Sequence, residues 1–261
     1  MLFQQLYCSR YLVGDILVNQ IRSLLSFLTI LPVGKDYDIN YIARHMFLFP
    51  AAGAIIGLLV GSFAFGLSLI IQGLFVGLIT TAALFILTGA HHTDALSDFA
   101  DGLMAKGSKD SKRKAMRDPS AGSAGVASLV LYLAGAVIAV SSLTGKGGFG
   151  LFAAILVSEV IAKYVMVLQA HRGLAAWEGI GSPFTLEMKK KTKILAATAI
   201  TIPIAYFVGG FAGLYALGAA AVIAFVLLKI ANRSFGGVSG DVFGASNEIT
   251  RLSSLIILAS I

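Results

Sequence analysis

Apolar windows of membrane-span length recur along the chain, at residues 47–70, 74–92, 124–143, 149–170, 194–208 and 211–231. Crossing the ~30 Å hydrocarbon core of a bilayer takes roughly 20 apolar residues in a helix, so this pattern restricts the fold more than any motif does. The window at 194–208 is short, and Pro203 within it should kink or break the helix. A seventh segment, from 252 to Ile261, is too short to cross fully. Composition agrees: 57% of residues are hydrophobic and 13% charged, and the mean hydropathy of +0.86 lies outside the soluble range. The expected architecture is an all-α, polytopic membrane bundle of six to seven spans, a single membrane domain over residues 1–261. Frequent glycine and alanine let such helices approach closely where no hydrophobic effect drives their association in lipid.

Threading the chain through these windows puts residues 1–46, 91–123, 171–193 and 232–251 on one side. Those loops collect the basic residues, including Arg10, Arg22, Lys35, Arg44, Arg172, Arg233, Arg251 and the lysine-rich runs at 106–117 and 189–193, while the opposite loops carry only Lys146. The positive-inside rule makes the basic face cytoplasmic and the protein a multi-pass component of the cell membrane. It also explains the net charge of +7 without nucleic acid, for which no aromatic-interleaved basic domain is present. Near the start, NQIRSLLSFLTILPVG is too short and too close to Arg22 to span, and suits an interfacial or re-entrant helix. MLFQQLYCSRYLVGD lacks the pattern of a cleaved signal, so the mature chain is expected to begin at Met1. The one cysteine, Cys8, rules out an intramolecular disulfide.

Chemistry concentrates on the basic face. In HHTDALSDFADG, directly after the second window, Asp94, Asp98 and Asp101 are spaced four and three apart. At about 100° per residue these positions fall within roughly 60° of one another around a helix. Carboxylates next to hydrocarbon are costly to hold ionised without a cation, so the row reads as a divalent-metal site. Oxygen ligands without cysteine suit Mg²⁺ or Mn²⁺ better than zinc, and the adjoining His91 and His92 are secondary candidates.

Three further clusters accompany the row. GSKDSKRKAMRDPSAGSAG sets Arg117 and Asp118 before a Gly/Ser-rich turn at Gly122, where backbone N–H groups at a helix start could meet a phosphate and Arg117 could clamp it bidentately. Lys109, Lys112 and Lys114 read as juxtamembrane cations for lipid headgroups. SFGGVSGDVFGASNEIT carries Asp241 and Glu248 among glycines whose density points to close backbone approach or positive φ rather than simple helix. HRGLAAWEGIGSPF supplies Arg172 and Trp177, the latter as an interfacial anchor. Within the fourth window, Glu159 and Lys163 are four apart and are expected to neutralise each other. Together the acids, the arginine and the glycine turns describe a diphosphate site suited to direct in-line displacement, since no nucleophile arrangement is evident.

FLTILPVG, FLFPAAGAIIG, TGAHHTDALSDFADG, MRDPSAGSAGV and GGVSGDVFGASNE occur in this order. In that series the chain resembles the adenosylcobinamide-GDP ribazoletransferases, or cobalamin synthases, nearly end to end. Its departures, at HHTDALSD and DPSAGSAG, spare Asp94, Asp98, Asp101 and Arg117. The resemblance implies a Mg²⁺-dependent membrane enzyme joining adenosylcobinamide-GDP to α-ribazole or its 5′-phosphate, yielding adenosylcobalamin or its phosphate and GMP. It implies Mg²⁺ on Asp94, Asp98 and Asp101, Arg117 on a phosphoryl oxygen, and Asp241 and Glu248 as a second metal site or a base. Asp118, Gly122 and Arg172 are the remaining expected substrate contacts. Homo-oligomerisation is left open by the sequence.

Two other classes share some of these features. A prenyltransferase or CDP-alcohol phosphotransferase also sets aspartate rows at helix ends, but the second aspartate motif each requires is missing after Asp101 and Gly102. A cation transporter would place its acids near the midplane at broken helices, whereas these gather at one mouth.

Overall fold

The computed structural model describes residues 17–34 and 38–261. The expectations on residues 1–16 and 35–37, including Cys8, the absence of a cleaved signal and the start at Met1, lie outside the described residues. Among the described residues every regular element is helical, and β-pairing is confined to one isolated bridge between Ala175 and Val238. In chain order the helices are α1 (17–28), α2 (Ile39–His45), α3 (Phe49–Ser68), α4 (Gly73–Leu87), α5 (His91–Met104), α6 (Lys109–Met116), α7 (Ser123–Leu143), α8 (Gly147–Arg172), α9 (Gly181–Glu187), α10 (Lys191–Ser234) and α11 (Gly240–Ser260). The chain is an all-α membrane protein.

By length and composition three helical stretches can cross a membrane: Ile39–Ser68, Ser123–Arg172 and Lys191–Ser234. A fourth is added if Gly73–Leu87 and His91–Met104 count as one broken span. Two of these stretches are interrupted. Gly147 separates α7 from α8 at φ 78°, and Gly210 breaks α10 at φ 60°, ψ −149°. A side chain added at Gly213 would run into the carbonyl of Ala205, so α10 doubles back at Gly210. The break thus falls beyond Pro203, between the windows 194–208 and 211–231.

α8 is the central post, buried along most of its length from Leu151 to Ala170 by α3, α10 and α11. Its tightest neighbour is α3, which turns Gly53, Gly57 and Gly61 toward it at a spacing of four. A Cβ on Gly53 would lie 2.7 Å from the Glu159 carbonyl, and one on Gly57 2.6 Å from Leu156 Cα. This is the small-residue packing that lipid-embedded helices use, because van der Waals contact must replace the missing hydrophobic drive.

Two expectations are corrected here. The second window does not run straight on to the acidic row: α4 stops at Leu87, and α5 leaves at 91° through Gly89 (φ 63°) and Ala90 (φ 60°). The glycine-rich segment after Gly240 is helical, because Ser239 caps it through a 3.3 Å bond from Val242 N–H, so α11 is a full helix rather than a short tail. Close approach and positive φ do occur nearby, at Gly244 against Ala95 and at Gly236 (φ 89°). After α1 the chain folds back, with Arg22 Nε donating to the Val33 carbonyl at 2.6 Å.

Candidate active site

α5 builds the acidic face through its own amphipathicity. Ala95, Leu96, Phe99 and Gly102 are buried, while Asp94 is exposed and Asp98 and Asp101 are half-buried. Asp94 sits in the first turn, where a carboxylate complements the helix dipole. Ala95 packs so closely on Gly244 that no side chain would fit there, which brings the first turn of α11 and Asp241 against α5. The Asp98 carboxyl is raised from 3.8 to about 6, first by burial and then by Asp94, Asp241 and Asp101. Asp241 is also raised, chiefly by burial and further by Asp94, while its bond from Ser239 and the charge of Arg117 oppose the rise. Asp94, Asp98, Asp101 and Asp241 therefore share one electrostatic site, with Arg117 at its edge.

Asp101 faces another task. Its carboxylate accepts the N–H of Gly122 at 2.7 Å and of Gly125 at 2.8 Å, satisfying donors at the start of α7 that have no partner within the helix. This corrects the expectation that the Gly122 turn offers its N–H groups to a phosphate, because the helix start already has its anion. Asp118 likewise serves the turn, accepting the Ser120 N–H at 2.9 Å. Lys112 is no headgroup lysine: its ammonium donates to the carbonyls of Leu103 and Ala105, both at 2.6 Å, and closes the end of α5. Arg117 terminates α6 and is exposed. It shares an open basic cleft with Arg113 and Lys114. The Arg113 guanidinium stacks 4.5 Å over Trp177, so that ring is a partner for a cation rather than an anchor alone.

Glu248 and Arg172 do not join the acids. Glu248 is buried two turns further along α11, where it pairs with Arg251 and accepts from Asn247 Nδ2 at 3.0 Å. Arg172 lines a separate groove between α8 and α10 with Gln169 and Phe225. Arg251, counted with the cytoplasmic loops by its charge, is buried within α11. It bonds Glu159 and Glu248 and donates to Tyr132 Oη at 3.0 Å. Glu159 and Lys163 are 3.4 Å apart as expected, yet the closer partner of Lys163 is Asn247 Oδ1 at 2.7 Å. The i, i+3 spacing of Glu248 and Arg251 and the i, i+4 spacing of Glu159 and Lys163 were the local signals of this network; that the two pairs meet across α8 and α11 was not.

The sequence also gave no sign of a cavity of about 440 Å³ beside Asp241. Phe27, Phe49, Phe184 and Phe243 wall it, with His91 and His92 on the α5 side. Neighbouring rings lie 5.8 to 6.3 Å apart, although they come from four different helices.

Four carboxylates, Asp98 with Asp94, Asp101 and Asp241 in its field, and Arg117 at the edge form an oxygen donor set of excess negative charge, which fits a hard divalent cation. Among the described residues no three His, Cys, Asp or Glu side chains are grouped so as to hold a metal ion, so the expected triad of Asp94, Asp98 and Asp101 is not a ready-made metal site.

Comparison with known proteins gives one consistent answer. The adenosylcobinamide-GDP ribazoletransferase of Methanocella arvoryzae is 34% identical over 260 residues, covering 94% of this chain and 97% of the relative. Those of Archaeoglobus fulgidus and Methanosarcina barkeri are 33% and 31% identical, covering 93% and 91% of this chain and 97% and 90% of the relatives. No solved structure matches. Residues 20–259 match the family model described as cobalamin-5-phosphate synthase, and the chain belongs to that family.

Proposed function

We propose that this chain is a Mg²⁺-dependent adenosylcobinamide-GDP ribazoletransferase that uses α-ribazole or its 5′-phosphate as acceptor. The observation that carries the site assignment is the convergence of Asp94, Asp98 and Asp241 beside Arg117, in a member of this family. A ribose hydroxyl of the acceptor forms the new O–P bond at the phosphorus bearing the corrinoid arm, and the P–O bond to GMP breaks. Mg²⁺, when bound, neutralises charge building on the phosphoryl oxygens and the departing GMP.

The protein's own groups divide the remaining work. Asp94 and Asp98 present the ligating oxygens. Arg117 orients a phosphoryl oxygen through its planar fork of donors. Asp241, half-buried and with its carboxyl raised above the ordinary aspartate value, is a stronger base than a solvated carboxylate and is placed to take the proton of the attacking hydroxyl. Asp101 fixes the α5–α7 junction on which these groups stand.

The protein sits in the cell membrane, with α5, α6 and the start of α11 at the cytoplasmic face and six crossings formed by α3, α4, α7, α8 and the two arms of α10. The concentration of basic residues on one set of loops supports that orientation. The test is incubation of purified protein with adenosylcobinamide-GDP, α-ribazole and Mg²⁺. GMP release that requires both the acceptor and the metal supports the reading, and no release under those conditions refutes it.

A further inference from the structure

The geometry points to the phenylalanine-walled cavity beside Asp241 as the seat of the acceptor's flat heterocyclic base, with the acceptor ribose directed to the acids. This rests on the transfer reading above and adds to it where the acceptor binds and what selects it. The cavity holds about 440 Å³, and among the described residues its only ionisable groups besides Asp241 are the two histidines. Among the described residues it offers no lysine or arginine to a diphosphate, whereas the α6 cleft gathers Arg113, Lys114 and Arg117 against the one acid Asp110. A corrin macrocycle with its side chains is too large for it, whereas a neutral nucleoside needs on the order of 300 Å³, the lower end of small-molecule sites.

The wall chemistry makes the same selection. Four phenylalanine rings at mutual tilts of 31° to 75° present both faces and edges, the arrangement in which a planar aromatic guest finds offset and edge-on contacts. α11 adds Gly240 and Gly244, so backbone rather than side chain forms the wall next to Asp241. A base held there leaves its sugar at Asp241, and the donor's diphosphate approaches from the α6 side. The two substrates thus reach Asp98 from cavities of opposite chemistry, an apolar aromatic one and a cationic one.

The test uses the full chain in detergent or nanodiscs. Gly240 lines the cavity and has open space where a Cβ would stand, so Gly240→Leu adds side-chain volume at the cavity wall. Phe184→Leu, a second variant, keeps apolar volume but removes the central ring. GMP release is measured with each substrate titrated at saturation of the other, and binding of α-ribazole alone is measured by equilibrium dialysis. Both variants are expected to raise the KM for α-ribazole about tenfold or more and weaken dialysis binding in parallel, with the KM for adenosylcobinamide-GDP within about twofold of wild type. An unchanged acceptor KM in Gly240→Leu, or a rise confined to the donor KM, overturns the assignment. Wild-type protein that binds α-ribazole in a Gly240→Leu-sensitive manner yet releases no GMP would instead overturn the transfer reading and uphold the cavity.

Discussion

Asp101 on α5 accepts the backbone N–H of Gly125 on α7 at 2.8 Å, so one member of the acidic row acts as the helix cap of a neighbouring span. Its partner bond from Gly122 completes the cap. Loss of an N-cap acceptor costs about 0.5–2 kcal/mol. Asp101→Ala is therefore expected to lower the thermal midpoint and activity together. Asp98→Asn should abolish GMP release while leaving the midpoint unchanged or raised, because it relieves repulsion among the acids. Thermal unfolding and turnover of both variants check this, and a stable but inactive Asp101→Ala would return that residue to the metal site.

The Asp98 carboxyl is raised to about 6, and the sign of its linkage follows. The folded state holds this proton more tightly than the unfolded chain, so the group's stabilisation is full below 3.8 and is lost as pH rises through about 6. Protons and Mg²⁺ compete for the same oxygens, so Mg²⁺ affinity should fall as pH drops through about 6. Asp241→Asn removes one of the charges that raise Asp98, and the midpoint should move lower. Calorimetric titration of Mg²⁺ across that range decides the point; a midpoint that stays put in Asp241→Asn would separate the two acids.

Arg251 holds two buried carboxylates, Glu159 and Glu248. Removing one partner of a buried ion pair typically costs about 3–5 kcal/mol, since the remaining charge is left without compensation. Arg251→Leu should lose most of its folded yield, and Glu248→Gln should lose stability in proportion to activity. Asp241→Asn, by contrast, should lose turnover while the fold is intact. Size-exclusion profiles beside specific activity distinguish these cases, and a well-folded, inactive Glu248→Gln would restore Glu248 as a catalytic acid or base.

Arg117 is exposed at the end of α6, yet its charge reaches Asp241. A charge-assisted hydrogen bond to phosphate is worth about 1.5–3 kcal/mol, which corresponds to roughly a 10- to 100-fold change. Arg117→Ala should raise the KM for adenosylcobinamide-GDP or lower turnover by that factor, with α-ribazole binding unaltered. Arg117→Lys should recover only part, because an ammonium cannot make the bidentate contact. Full recovery by lysine would reduce the role of Arg117 to general electrostatics.

The membrane class, the helical architecture and the close helix packing that frequent glycine and alanine allow were legible in the sequence, because each depends on local composition or on helical spacing. The clustering of Asp94 and Asp98 on one face was legible for the same reason. What lay beyond it depended on contacts between distant segments. The right-angle turn at Gly89 and Ala90 redirects α5, the Gly244–Ala95 contact adds Asp241 to the acidic row, and the buried carboxylates draw Arg251 out of the loop charges. Four phenylalanines far apart in the chain became one cavity wall only when α1, α3, α9 and α11 converged. Periodicity fixes which face of a helix a residue occupies; which other helix meets that face is set by packing among all of them, and only the tertiary structure records it.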